Sequence, residues 1–185
     1  MAMPQIAPDR RYTVEEVLAF PDDGNRYELA HGELLVSPAP RSRHQAVLGE
    51  LYFRLAEYLK PQRHVARVLF PPADISWARD VLVQPDLFVF PSGEWSESWT
   101  TIRTLLLAVK VLSPSTARHD RVTKRKLYQE YGVATYWIVD PDARVVEVWR
   151  PSDERPEIVT EELRWRVAEP APELVLPIAE LCALP

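Results

Sequence analysis

Between positions 44 and 60, Val47, Leu48, Leu51, Tyr52, Leu55, Tyr58 and Leu59 fall three and four residues apart. That spacing puts them on one stripe of an α-helix. A long amphipathic helix is expected there, with Ser42 as its cap and Pro61 as its stop. Apolar runs at 64–70, 74–77, 81–90 and 105–112 predict strands. A second helix is expected over 120–131, ended by Gly132 where a left-handed residue belongs. Before these, Thr13-Val14-Glu15-Glu16 forms a capping box that opens a short helix to about Phe20. Two hairpins are expected, one turning at His31-Gly32 and one joining 136–139 to 145–149. The segment 92–103 is a loop or short irregular helix, and the tail from about 151 holds short strands and a final turn near 178–181. The order predicts an α/β protein with a mixed central sheet flanked by helices. A single domain over 1–185 is expected, with its core at about 26–150 and an extension, 151–185, packed on that core.

Composition narrows the classes. A chain of 185 residues with 46% hydrophobic positions needs neither disulfide nor structural metal to hold a core. Cys182 stands alone, which excludes a disulfide framework and leads us to expect a reducing, cytoplasmic location. There is no run of eighteen apolar residues, so no membrane span is expected, and residues 1–11 lack the apolar stretch of a secretion signal. The formal net charge of −5 argues against a general nucleic-acid coat protein but allows a local basic rim.

The informative residues are charges where apolar side chains belong. Asp86 interrupts the run 81–90 and Lys110 the run 105–112, and both runs look like strands buried on two faces. An ionised group there must be paired or hold a metal. Lys110 stands near the C-terminal end of its strand, where open α/β sheets place ligands. The alternative is a buried Asp86–Lys110 ion pair without chemistry. Lys124 shares a helical stripe with Leu127, Tyr128 and Tyr131, and His44 shares one with Val47, Leu48 and Leu51. Arg41, Arg43, Arg118, His119, Arg121, Arg125 and Lys126 could form a phosphate-binding rim or a solvated face. Trp95 and Trp99 could stack on bases or cover a sheet edge.

Several stretches then carry a family resemblance. They are Tyr27-Glu28-Leu29-Ala30-His31-Gly32-Glu33-Leu34, Ser37-Pro38-Ala39-Pro40 with His44, and Gln84-Pro85-Asp86-Leu87. The strongest is Val109-Lys110-Val111-Leu112-Ser113-Pro114-Ser115-Thr116, followed by Asp120, Lys124, Tyr128, Gly132-Val133 and Tyr136-Trp137-Ile138-Val139-Asp140-Pro141. Over about 27–149 the chain resembles the Uma-type family of endonucleases, within the PD-(D/E)xK restriction-endonuclease-like superfamily. The resemblance implies DNA as substrate, a homodimer, and Mg²⁺ or Mn²⁺ as cofactor. It makes Asp86 a metal ligand, Glu28 a further ligand or supporting group, and Lys124 the catalytic lysine. His44, Arg121 and Arg125 become candidate substrate contacts. Where the family carries a second metal-binding glutamate, this chain has Lys110, which removes a ligand and puts positive charge at the cation's place. Impaired cleavage is therefore expected, and a non-catalytic nucleic-acid-binding or regulatory module on the same fold is the alternative.

Overall fold

The computed structural model describes residues 10–113 and 117–183, so Pro114, Ser115 and Thr116 of the strongest sequence motif lie outside the described residues. Helix α1 (Val14–Leu18) opens with the predicted box: the Thr13 hydroxyl accepts from the Glu16 N–H, and the Glu16 carboxylate accepts from the Thr13 N–H at 2.8 Å. Strands β1 (Arg26–Ala30) and β2 (Glu33–Ser37) form the first hairpin. It turns through His31 and Gly32 at φ 50° and 79°, the paired left-handed residues a two-residue hairpin loop requires.

Helix α2 (Ser42–Leu59) buries Val47, Leu48, Leu51, Leu55 and Leu59 as its periodicity predicts. Its N-cap is Arg41, extended at ψ 162°, and no side chain caps it. Ser42 is thus already helical, and a hydroxyl caps a helix only from a non-helical residue.

Strands β3 (Ala66–Leu69) and β4 (Ile75–Ala78) follow. The run at 81–90, expected as one strand, is two: β5 (Val81–Val83) and β6 (Leu87–Pro91). Pro85 has no N–H to give a ladder, so the chain breaks at Gln84-Pro85-Asp86. The halves enter different sheets, and Asp86 sits at the crossing. Residues 92–103 contain two short 3₁₀ turns, Ser92–Glu94 and Trp99–Thr101.

Strand β7 (Leu107–Val111) runs parallel to β8 (Tyr136–Asp140), with the second helical region as their crossover. That region is an α-helix, α3 (Arg125–Glu130), only in its second half. Its first half, His119–Lys124, is π-helical, with the Arg125 N–H donating to the Asp120 carbonyl five residues back. Gly132, at φ 69°, ends it. Strand β9 (Val145–Trp149) completes the second hairpin, and β10 (Glu157–Val159) extends it. The tail adds β11 (Glu162–Trp165), β12 (Leu174–Pro177) and α4 (Ile178–Cys182).

Among the described residues the strands form three sheets. A six-stranded mixed sheet has the order β10-β9-β8-β7-β6-β3, a four-stranded one β2-β1-β5-β4, and β11 pairs with β12. Strand alternation divides the large sheet's side chains between two faces. Leu107, Val109 and Val111 join Leu87, Trp137 and Val139 against α2, α4 and the tail. Ala108 joins Phe88, Ile138, Leu127 and Tyr128 against α3 and the four-stranded sheet. Lys110, two residues from Ala108, shares that second face. Burying a Leu or Phe contributes about 1.5–3 kcal/mol, while an unpaired buried charge costs several kcal/mol, so charges in this layer need partners.

Candidate functional site

The second face carries a buried polar layer between the two large sheets and the π-helical segment. Glu28, His44, Asp86, Lys110, Asp120 and Lys124 are all buried there. Each is placed by local periodicity. Arg26, Glu28 and Ala30 alternate onto the inner face of β1, since Ala30 joins the second core while Tyr27 and Leu29 pack in a separate cluster. His44 is on the buried stripe of α2, and Lys110 is on β7. In the wide π turn, Asp120 and Lys124 lie four residues apart on one inward face.

Asp86 is 0% exposed. Its Oδ1 accepts from Arg26 Nη1 at 2.8 Å and from Lys110 Nζ at 3.0 Å. Its Oδ2 accepts from His44 Nε2 at 3.0 Å and from the Val111 N–H at 3.0 Å. A carboxylate offers about four lone-pair positions, and here each meets a donor. Burial alone would raise this carboxyl's pKa. The Lys110 charge, the His44 hydrogen bond and charge, and the Arg26 charge outweigh it and hold the group well below the usual carboxylate range.

A second cluster adjoins the first. Lys124, 2% exposed, forms ion pairs with Glu28 Oε2 and with Asp120 Oδ1, the latter at 3.1 Å. Glu28 Oε1 accepts from the Gln84 N–H at 2.8 Å, so the β5–β6 break supports both clusters. Asp120 is 0% exposed, and its Oδ2 has no hydrogen-bond partner among the described residues. Burial would lower the Lys124 pKa, but the charges of Glu28 and Asp120 raise it above the ordinary lysine value. Lys124 is therefore a permanent cation rather than a base near neutrality. The Tyr128 and Tyr136 phenols are pushed well up, first by burial and then by the charges of Glu28, Asp120 and Asp86. Both rings feel all three carboxylates, which places the clusters in one electrostatic environment.

The layer opens toward solvent beside His44. There a cavity of about 260 Å³ is lined by Arg41, Ser42, Arg43, His44, Leu112 and Ser113, among others. Arg43 is held by Asp142 at 2.5 Å and by the Pro141 carbonyl at 3.1 Å. Two more of the basic candidates have internal partners. Arg121 pairs with Glu147 at 2.5 Å and Asp140 at 3.2 Å, while Arg125 bonds Gln129 and stacks on Trp149. Trp95 lies under the Arg67 guanidinium, and Trp99 meets Phe88 edge-on.

The structure thus brings Glu28, His44, Asp86, Lys110 and Lys124 together and leaves Arg121 and Arg125 outside, against β9. Sequence reasoning missed Arg26 as a partner of Asp86, although its position two residues before Glu28 on an alternating strand carried the signal. It also missed Asp120 as a buried partner of Lys124, although their i,i+4 spacing on a helix carried the signal.

The oxygen donors do not suit a divalent cation. Mg²⁺ takes several oxygen ligands in octahedral array. Asp86 has no lone pair left, Lys110 supplies an ammonium where a carboxylate is expected, and Glu28 and Asp120 are engaged by Lys124. Among the described residues, no group of three or more His, Cys, Asp or Glu is arranged to hold a metal ion. Nor is any helix there long and apolar enough to cross a membrane.

Comparison with known proteins converges on one family. Residues 14–179 match the family model described as "Uma2: Putative restriction endonuclease". No curated protein matches the chain. A crystal structure from Anabaena variabilis, described as "a putative nuclease belonging to DUF820", superposes with a TM-score of 0.76 at 27% identity, covering 93% of this chain and 98% of that one.

Proposed function

The chain belongs to the Uma2 restriction-endonuclease family, and on that premise we propose that it is a DNA endonuclease of the PD-(D/E)xK type whose phosphodiester hydrolysis is impaired by Lys110. One observation carries this reading: Asp86 and Lys124 share a single buried layer, and an ammonium stands 3.0 Å from Asp86. In this reading Lys124 is the catalytic lysine. Buried and held by Glu28 and Asp120, it would meet the reacting phosphate only by giving up one of them, and there it would offset charge that builds in the transition state. His44 and the cavity with Arg41 at its edge receive the DNA backbone. Arg121 and Arg125 would reach DNA only by giving up their internal partners. In active restriction-endonuclease-like enzymes a divalent ion supplies an activated water. The residues present do not fit such an ion, so no step is assigned to one here. The saturation of Asp86 also supports the second reading, a non-catalytic nucleic-acid-binding module on the same fold.

Supercoiled plasmid, incubated with Mg²⁺ or Mn²⁺ and either this chain or its Lys110→Glu variant, tests the proposal. Cleavage by the variant alone, or far faster by the variant, is the expected result. Equal cleavage by both would refute the role given to Lys110, and silence from a folded variant would favour the binding module.

A further inference from the structure

Lys110 does more than remove a ligand. Every oxygen lone pair of Asp86 is used by the chain itself: two cationic side chains on Oδ1, and an imidazole and a backbone N–H on Oδ2. Arg26 comes from the four-stranded sheet, His44 from α2, and Lys110 and Val111 from the central sheet. A divalent ion bound to Asp86 would have to displace at least one of these donors and would then stand beside two fixed positive charges. Lys110 has almost no route away from the carboxylate, since only 7% of its side chain is exposed and its strand is buried along its whole length. We infer that the Lys110 ammonium has replaced the divalent cation as the permanent counter-ion of Asp86, leaving a site that is complete without metal, folds without metal and excludes it.

The inference deepens the family reading and rests on it for the location of the site, but its test does not depend on cleavage. The probe is Mn²⁺ alone, followed by the loss of its free electron-spin-resonance signal and by the thermal midpoint of the full chain in chelator and in metal. Wild type is expected to leave the signal and the midpoint unchanged. Lys110→Glu is expected to unfold at a lower temperature in chelator and to recover in Mn²⁺. At a hundredfold excess over Kd the recovery should be about 5–10 °C. Should Lys110→Glu fail to fold in chelator, it is refolded with Mn²⁺ present, and folding that requires the ion supports the inference. If it folds in neither condition, Lys110→Gln decides: it removes the ammonium, supplies an amide oxygen and is expected to take up Mn²⁺ where wild type does not.

Stoichiometric Mn²⁺ uptake by wild type, abolished by Asp86→Asn, would overturn the inference. So would a folded Lys110→Glu, or in its absence a folded Lys110→Gln, that ignores Mn²⁺. The two proposals fail separately. Uptake by Lys110→Glu without DNA cleavage would sink the hydrolytic reading and keep this one. Cleavage by Lys110→Glu with no Mn²⁺ taken up would do the reverse.

Discussion

Lys124→Met separates the two buried clusters by their energetics. Methionine is close to lysine in length and stays apolar, so the change removes charge with little change in packing. Glu28 is 1% exposed and Asp120 0%, and Lys124 is the one cation in contact with either among the described residues. The variant leaves two carboxylates buried without a counter-ion. Breaking a buried pair in this way costs about 3–5 kcal/mol, which for a chain of this size lowers the thermal midpoint by roughly 6–20 °C. Lys110→Met is the control. Asp86 would keep Arg26, His44 and the Val111 N–H, so a smaller loss of about 1–3 kcal/mol is expected.

Urea unfolding followed by tryptophan fluorescence measures both losses. The pH dependence adds a second signature. In wild type the raised Lys124 pKa contributes stability that is complete below the ordinary lysine value of about 10.4 and lost only as pH rises through the raised one. A Lys124→Met chain within about 1 kcal/mol of wild type at neutral pH would show that Glu28 and Asp120 are not held as ions by Lys124.

Two further outcomes are expected. Asp86 has a depressed carboxyl, so its contribution is complete above the ordinary aspartate value of about 3.9 and is lost as pH falls toward the lowered one; the stability gap between wild type and Asp86→Asn should close in strong acid, as acid-titrated circular dichroism would record. Gly132→Ala should cost about 1 kcal/mol by chemical denaturation, because the residue sits at φ 69° while a Cβ there would meet no atom within 4 Å, so backbone strain is the whole effect.

Much of the architecture could be read from side-chain rhythm. The α2 stripe, both hairpins and the Thr13–Glu16 box fall where the pattern puts them, because each rests on contacts a few residues apart. The division of strands among sheets could not be read. Val81 to Phe90 is apolar almost throughout, and only Pro85 hints that its halves belong to different sheets. Asp86, Lys110 and Lys124 stood out because a charge in an apolar run must find a partner. Which partner it finds depends on contacts far apart in sequence: Arg26 meets Asp86 across sixty positions, and Glu28 meets Lys124 across the crossover. The π turn at His119–Lys124 has no signature in composition, since its residues suit an ordinary helix equally well.

That wide turn makes the spacing of residues, and not only their identity, part of the site. A π turn holds one residue more than an α turn and absorbs it locally, so the helix on either side keeps its facing. Deleting a single amino acid between Asp120 and Lys124 would relax the segment to regular α geometry and leave the two three residues apart, still neighbours on one face. A relative one residue shorter here keeps the ion pair, and an alignment must open its gap inside the turn to set the same charges opposite one another.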